Sequence, residues 1–381
     1  MVFDKDDKNY KQCSLSVMDN IADQTIKLDE KGICNYYYDY KEAEKQHTVV
    51  GEEATEKVKN IVNELKENGK GKQYDCIIGV SGGIDSTYLC YKAKEYGLRV
   101  LCVHFDNGWN SQEAVMNIQN IIQKCGFDLY TYVIDWNEFR DIQLAYFKAG
   151  VIDIEAVTDI AIFDSLDMIC NEKKISYILD GRNTWTEQTL PSIWTNKNPN
   201  NLFDIHQKFG NIPLSKYPAK FKNGQYVKPK GSFKSIPLLN YLDYNKSKTK
   251  EIIAKELDWK DYGGKHYESI FTRFYQGYIL PEKFKVDKRK AHLSNLIFSG
   301  QMEKNEALLE LEKPIYPANL LETDKEFVLK KLGFSQIDFE TYIKEEGTPH
   351  SFYRNDEIVN KPTFNEKLKY KLKKTIKRII K

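Results

Sequence analysis

From residue 75 the chain alternates short unbroken apolar runs with longer stretches whose apolar residues recur at helical spacing. The runs lie at 76–80, 100–105, 129–134 and 175–179. Each is short enough for a strand and apolar enough to be covered on both faces. The stretches between them, at about 85–96, 111–125 and 157–173, have the length and period of helices. Repeated strand–helix–strand units predict an α/β fold with a doubly wound parallel sheet. In such a sheet ligands bind beyond the carboxyl ends of the strands, where the strand order reverses, so chemistry is to be sought there.

On either side the pattern changes. Residues 1 to about 50 are polar with turn signals, and 54–68 predicts an amphipathic helix with Val58, Ile61, Val62 and Leu65 on one face. Residues 182–237 lose periodicity and collect Pro191, Pro199, Pro213, Pro218, Pro229 and Pro237, which predicts a long irregular segment of the kind that serves function. Beyond about 245, helical spacing returns at about 246–257, 267–279, 282–298, 303–311, 322–331 and 335–345, so the C-terminal half is expected to be mostly helical.

A hydrophobic content of 41% supplies a core and excludes a disordered chain. No run approaches the roughly 18 apolar residues of a membrane span, and the charged opening is not a secretory signal. The seven cysteines, at 13, 34, 76, 90, 102, 125 and 170, are odd in number and dispersed, which suits a reducing compartment; a cytoplasmic location is expected. Lys and Arg number 57 against 55 Asp and Glu, and only 7 of the basic residues are arginine, so no nucleic-acid partner is expected.

The strongest local signal is Ile77-Ile78-Gly79-Val80-Ser81-Gly82-Gly83-Ile84-Asp85-Ser86-Thr87, a strand that enters a Ser-Gly-Gly turn and then a helix. Gly82 and Gly83 permit positive φ and let backbone N–H groups approach a ligand. Ser81 and Ser86 add hydroxyls, and the first turn of the helix adds free N–H groups and the positive end of its dipole; together they form a seat for an anion. Asp85 would repel bare phosphate and is read as a magnesium-side residue or a helix cap. Neither G-x-x-x-x-G-K-[ST] nor G-x-G-x-x-G is present. The loop resembles the pyrophosphate loop of the ATP pyrophosphatases, the superfamily of GMP, NAD and asparagine synthetases and of tRNA thiolation enzymes. The resemblance implies a fold of the adenine nucleotide alpha hydrolase (HUP/PP-loop) type, with ATP cleaved between its α and β phosphates. It also places His104 and Asp106, at the end of the second strand, beside the adenosine. Gly181, Arg182 and Asn183, at the end of the fourth strand, face the same ligand side.

A narrower resemblance rests on Cys13-x-x-Ser16-x-Met18-Asp19, Asp29-Glu30-x-Gly32-x-Cys34-Asn35-Tyr36, the phosphate loop, Gly181-x-Asn183-x-x-Thr186-Glu187, Asn240-Tyr241-x-Asp243-Tyr244, Asp261 to Ser269 (DYGGKHYES), Phe274 to Pro281 (FYQGYILP) and Ala291-His292-Leu293-Ser294-Asn295-Leu296. From about residue 10 to about 310 the chain resembles the N-acetyl sugar amidotransferases of surface-polysaccharide (O-antigen, capsule) synthesis. The resemblance implies conversion of an N-acetyl group on a nucleotide-activated sugar to an acetamidino group. The amide oxygen attacks the α phosphate of ATP, pyrophosphate leaves, and ammonia displaces AMP. It implies ATP with Mg2+, catalytic roles for Ser81, Asp85, Lys265 and His266, and magnesium contact by Asp85. Ammonia would come from partner subunits resembling the glutaminase and cyclase-like chains of imidazole glycerol phosphate synthase. Family members carry two Cys-x-x-Cys pairs suited to zinc; here Cys13-x-x-Ser16 and Cys34-x-x-Tyr37 keep one cysteine each, so zinc is not expected and packing is to hold the lobe.

The resulting division is an N-terminal lobe (1–70), an ATP-binding domain (71–185), a lysine-rich substrate or lid segment (186–240), a helical domain (241–350) and a basic amphipathic tail (351–381). Between Asp204 and Asp243 stand seven lysines and no acid, a candidate electrostatic lid or a solvated loop. Residues 366–381 place Leu368, Leu372, Ile376, Ile379 and Ile380 among eight basic residues, a candidate for peripheral contact with the inner face of a membrane or for docking a partner. Two rival functions remain: a tRNA sulfurtransferase or lysidine-type enzyme of the same superfamily, and a non-catalytic scaffold for the glutaminase.

Overall fold

A computed structural model describes residues 9–229, 231, 233–264, 266–355 and 368–369 of the chain. The apolar runs form strands β1 (Cys76–Gly79), β2 (Val100–Asp106), β3 (Asp128–Val133) and β4 (Tyr177–Leu179). Two short strands, β5 (Phe221–Lys222) and β6 (Gln225–Tyr226), make a separate hairpin, and β7 (Lys234–Ile236) completes the main sheet. All pairs of that sheet are parallel and its order is β3-β2-β1-β4-β7. The chain steps outward from β1 to β2 and β3, then returns to the other side of β1, so the switch point lies between β1 and β4.

Helices α1 (Asn35–His47), α2 (Gly51–Asn68), α3 (Ile84–Glu95), α4 (Gln112–Cys125), α5 (Trp136–Ala149) and α6 (Ala156–Lys173) follow in chain order. One core, with Val58, Leu65, Ile78, Leu89, Val100, Ile118, Leu239 and Ile253, packs α2, α3, α4 and the helix Lys246–Leu257 on one face of the sheet. The opposite face, with Ile77, Leu101, Val103, Ile169 and Ile178, is covered by α6. The largest core joins α5 to the C-terminal helices and the N-terminal lobe through Phe139, Tyr146, Phe147, Phe271, Phe274 and Phe339. The C-terminal half is mostly helical: Ile270–Phe274, the π-helical Tyr275–Phe284, Arg289–Phe298, Lys304–Glu312, Ala318–Leu332 and Gln336–Lys344.

Three expectations are corrected. The segment 182–237 is not irregular throughout: it contains the helix Pro199–Phe209, the β5–β6 hairpin and the fifth strand β7. It is pinned by two buried carboxylates of α5. Asp141 accepts from the amides of Asn211 and Ile212 and from His206 Nε2, at 2.8, 3.1 and 3.0 Å. Glu138 accepts from Ser215 Oγ and from the amides of Lys216 and Tyr217. Burial acts to raise the Glu138 pKa, yet these hydrogen bonds hold it below the ordinary carboxylate range. Three of the lysines there turn to local partners: Lys216 pairs with Asp135 at 2.7 Å, Lys234 with Glu64 at 2.9 Å, and Lys220 donates to the carbonyls of Ser215 and Tyr217.

Second, α5 has no counterpart among the predicted helices, because Glu138, Asp141 and Gln143 are buried beside Phe139, Ile142 and Tyr146 and blur the amphipathic period. Third, β3 is an edge strand, exposed at alternate positions, instead of a strand covered on both faces.

In the N-terminal lobe Cys13 and Cys34 are fully buried, with the Cys34 amide donating to Cys13 Sγ at 3.3 Å and Ser16 Oγ 3.9 Å from Cys34 Sγ. Hydrogen bonding with the Cys34 thiol, foremost, lowers the Cys13 thiol below its ordinary range. Lys290 pairs with Asp19, both buried, and ties the lobe to the helix Arg289–Phe298. Among the described residues no group of three or more His, Cys, Asp or Glu side chains is placed to hold a metal ion, and no helix is long and apolar enough to cross a membrane. The proposed tail helix lies outside the described residues apart from 368–369.

The turn between α5 and α6 buries Asp153, whose Oδ2 accepts from the Asn196 amide at 2.7 Å and whose own amide donates to His350 Nε2 at 3.3 Å. Burial, and then Asp159, push Asp153 up to about 7, well above its ordinary 3.8. The native chain therefore keeps a proton between pH ~4 and ~7 that the unfolded chain releases, so stability falls as pH rises through that window. Asp153→Asn retains the acceptor and needs no proton. Thermal denaturation should show a higher midpoint than wild type at pH 8 and an unchanged one at pH 4. Burial also pushes His350 down to about 3, so its own destabilising effect grows as pH falls below ~6.5, in both proteins alike.

Candidate active site

The Ser-Gly-Gly turn leaves the C-terminal end of β1, at the switch point. Gly82 has φ +78°, and a Cβ there would lie 2.6 Å from the Ala114 carbonyl oxygen on α4, so glycine is required both by conformation and by space. Gly83 is the N-cap of α3 and no side chain caps that helix, which leaves first-turn N–H groups for an anion. Ser81 Oγ accepts from the Gly83 amide at 3.2 Å, and the Ser86 and Thr87 hydroxyls donate to the Gly83 carbonyl at 3.3 and 2.6 Å. These bonds fix the bend from inside.

From outside it is held by residues far away in sequence. Trp259 Nε1 and Asn117 Nδ2 donate to the Gly82 carbonyl at 2.9 and 3.3 Å, and Asn117 is itself paired with the backbone of Lys260. Gly181, at the end of β4, packs against the first turn of α3: a Cβ on it would sit 3.5 Å from the Ser86 nitrogen. Ser81, Gly82, Gly83, Asp85, Ser86 and Gly181 thus share one wall.

The other candidates divide. His104 is buried, with Nδ1 3.0 Å from the Val80 carbonyl and Nε2 3.1 Å from Asn110 Nδ2, so it braces the strand behind the loop. Asp106, at the end of β2, accepts from the Gly108 amide and Asn110 Nδ2 at 2.8 and 3.2 Å and closes the turn there. Arg182 pairs with Asp180 and lies over the Phe163 ring. Asn183 caps the short helix Thr184–Glu187 by accepting from the Thr186 amide at 2.9 Å. His266 has φ +63° and places Nδ1 3.7 Å from Glu268 Oε1. Lys265 lies outside the described residues. Cys13 and Cys34 belong to the core of the N-terminal lobe and the C-terminal helices.

Several residues at the loop have no assigned role in the sequence reading. The buried Tyr244 donates to Asp85, and burial, then Asp85, push its phenol well up, so it stays a donor. The Tyr262 hydroxyl and Glu268 Oε1 each lie 3.4 Å from where a Gly83 Cβ would be. Burial, then Glu268, raise Tyr262 in the same way. Glu268 is fixed by its backbone: its carbonyl accepts from the Ser111 amide at 2.8 Å, Ser269 bridges Asn110, and the Ile270 amide donates to the Trp109 carbonyl at 2.8 Å. Its Oε2 is buried and makes no hydrogen bond among the described residues. Tyr244 and Glu268 stand within quoted motifs, whereas Asn117 and Trp259 carried no local signal.

Against known families, residues 75–186 match "Queuosine biosynthesis protein QueC" and residues 268–369 match "LPS biosynthesis protein WbpG-like, C-terminal domain". No curated protein sequence matches the chain. Among solved structures, the NMN synthetase of Francisella tularensis aligns at 16% identity and TM-score 0.36, covering 70% of this chain and 98% of that one. The NH3-dependent NAD synthetase of Campylobacter jejuni subsp. jejuni aligns at 13% identity and TM-score 0.29, covering 41% and 72%.

Proposed function

Because the chain joins a domain of the PP-loop ATP pyrophosphatase superfamily to a WbpG-like C-terminal domain, we propose that it is an ATP-dependent amidotransferase of surface-polysaccharide synthesis. In this reading it converts an N-acetyl group of a nucleotide-linked sugar to an acetamidino group. The observation that carries it is the uncapped Ser-Gly-Gly bend at the sheet's switch point, with Tyr262 and with Glu268, the first residue of the WbpG-like match, beside it.

The bend fits a triphosphate end: Gly83 puts no Cβ between the bend and Tyr262 and Glu268, and no side chain caps α3, which leaves its first-turn amides for an anion. The carboxylates of Asp85 and Glu268 beside it would repel bare phosphate, and Glu268 Oε2 makes no hydrogen bond among the described residues. Asp85 and Glu268 are the residues that would hold Mg2+, which takes one or two carboxylates plus phosphate oxygens and would neutralise the departing pyrophosphate. Ser81 and Ser86 orient the pyrophosphate, and Tyr244 holds the Asp85 carboxylate in place.

An amide is a poor electrophile. Transfer of the adenylyl group to its oxygen, with loss of pyrophosphate, converts that oxygen into a leaving group, and ammonia then displaces AMP. Positioning and charge stabilisation supply the rate, with no protein nucleophile. Ammonia would be passed on by a glutaminase partner of the imidazole glycerol phosphate synthase kind.

The test is incubation with ATP, Mg2+, ammonium and a panel of N-acetylated UDP- and CMP-sugars, following AMP and sugar mass. AMP release with a loss of about 1 Da from one sugar, the difference between oxygen and NH, is expected. ADP release, or AMP formation indifferent to every sugar, would remove the proposal. The QueC match covers the nucleotide-binding part and bears on ATP use rather than on the acceptor.

A further inference from the structure

The two edges of the main sheet are built differently. The β7 edge is three residues long and carries Lys234, ion-paired to Glu64. Short length and an edge lysine are the usual means of preventing strand addition. The β3 edge has neither. It runs for six residues, Asp-Leu-Tyr-Thr-Tyr-Val, with Asp128 at its start as the only charge and no proline. Leu129 and Val133 are 42% and 69% exposed.

We propose that this edge is a homodimer interface, in which two copies pair their β3 strands antiparallel about a two-fold axis at Thr131. The backbone sets the register. The Ile134 amide donates to the Asp106 carbonyl of β2 at 3.1 Å, so even-numbered residues turn their N–H and C=O groups inward to β2. Leu129, Thr131 and Val133 therefore turn theirs outward, as the alternation of a strand requires. An axis at Thr131 sets Thr131 against its own copy and Leu129 against Val133 of the other, so all outward groups meet in hydrogen-bonded pairs.

The side chains agree with that register. Leu129 meets Val133 at both ends of one face, and Tyr130 meets Tyr132 on the other, pairs of the kind that stabilise sheets. Asp128 falls opposite Ile134, not opposite its own copy, so no like charges face each other directly, and its carboxylate already accepts from Tyr74 Oη at 2.7 Å. A closed two-fold contact of this kind leaves no further edge to recruit a third chain on this side.

The interface does not depend on the amidotransferase reading, and its test is separate. Light scattering of the full chain should give twice the chain mass of 44.5 kDa. Leu129→Lys with Val133→Lys, at exposed positions, should halve the mass and leave circular dichroism and thermal midpoint unchanged. Thr131→Cys should link to itself in oxidised glutathione, because hydrogen-bonded antiparallel partners have Cα atoms about 5.5 Å apart. The two thiols lose two protons and two electrons, and glutathione disulfide is reduced to two thiols. Leu129→Cys, displaced from its own copy by roughly 14 Å along the strand, should not link. The native cysteines are all buried and give no background. A monomeric wild type, or a dimer that survives the lysine pair with Thr131→Cys unlinked, overturns the proposal.

Discussion

Asp85→Ala is expected to lower the rate of AMP formation by about 10^2- to 10^3-fold, the scale seen when a group stabilising developing charge is removed. The side chain sits in the first turn of α3, beside the amides that would seat pyrophosphate, and its carboxylate is held by Tyr244. In the proposed reaction removing it takes away a magnesium-side ligand, and it also leaves the buried Tyr244 hydroxyl without this acceptor. Some loss of stability should accompany the loss of rate, so the comparison is with Tyr244→Phe. That variant removes the hydroxyl and keeps the carboxylate, and should retain most of the rate. Ser81→Ala should lower turnover while leaving the far-ultraviolet spectrum intact. Full activity in Asp85→Ala or Ser81→Ala, measured by AMP release at saturating ammonium, would overturn the site assignment.

Gly82→Ala is expected to disable the loop by a different route. The φ of +78° costs a non-glycine residue about 1–3 kcal/mol. The added methyl also meets the Ala114 carbonyl oxygen at 2.6 Å, which is backbone of α4 and cannot swing aside as a side-chain tip could. Either α4 or the bend must move, and both the Trp259 and Asn117 bonds to the Gly82 carbonyl would be disturbed. A lower midpoint in thermal denaturation together with loss of ATP binding by calorimetry is the expected result. Gly71→Ala supplies the control, since φ there is also positive (+73°) but no atom lies near the added Cβ; it should lose stability and keep ATP binding. Unchanged ATP affinity in Gly82→Ala would mean that the nucleotide is held elsewhere.

Much of this protein is legible before folding because its signals are local. Apolar runs of strand length, helical spacing between them and a Ser-Gly-Gly turn on the first of them define a doubly wound sheet and place a candidate anion seat at one strand end. The helices at Lys246–Leu257, Lys304–Glu312 and Gln336–Lys344 likewise fall where apolar spacing puts them. The match of residues 75–186 to a PP-loop family and of 268–369 to a WbpG-like domain agrees with the motifs of the resemblance that fall inside those two stretches, the phosphate loop, Gly181 to Thr186, Phe274 to Pro281 and Ala291 to Leu296.

What local pattern does not contain is partnership across the chain. The strand β7 is three residues that become a strand because β4 offers them a free edge, and α5 hides its period because Glu138 and Asp141 are buried to hold the segment 206–217. Trp259 and Asn117 reach the Gly82 carbonyl, Glu268 comes beside Gly83, and His104 turns its ring to the Val80 carbonyl and Asn110. The sequence alone determined the kind of sheet and the position of the Ser-Gly-Gly turn at the end of its first strand, since those follow from periodicity and from residue types that few other backbones need. Only the tertiary structure decided which side chains surround that turn and which edge of the sheet has no partner strand among the described residues, because both depend on the directions in which distant backbones bring their groups together.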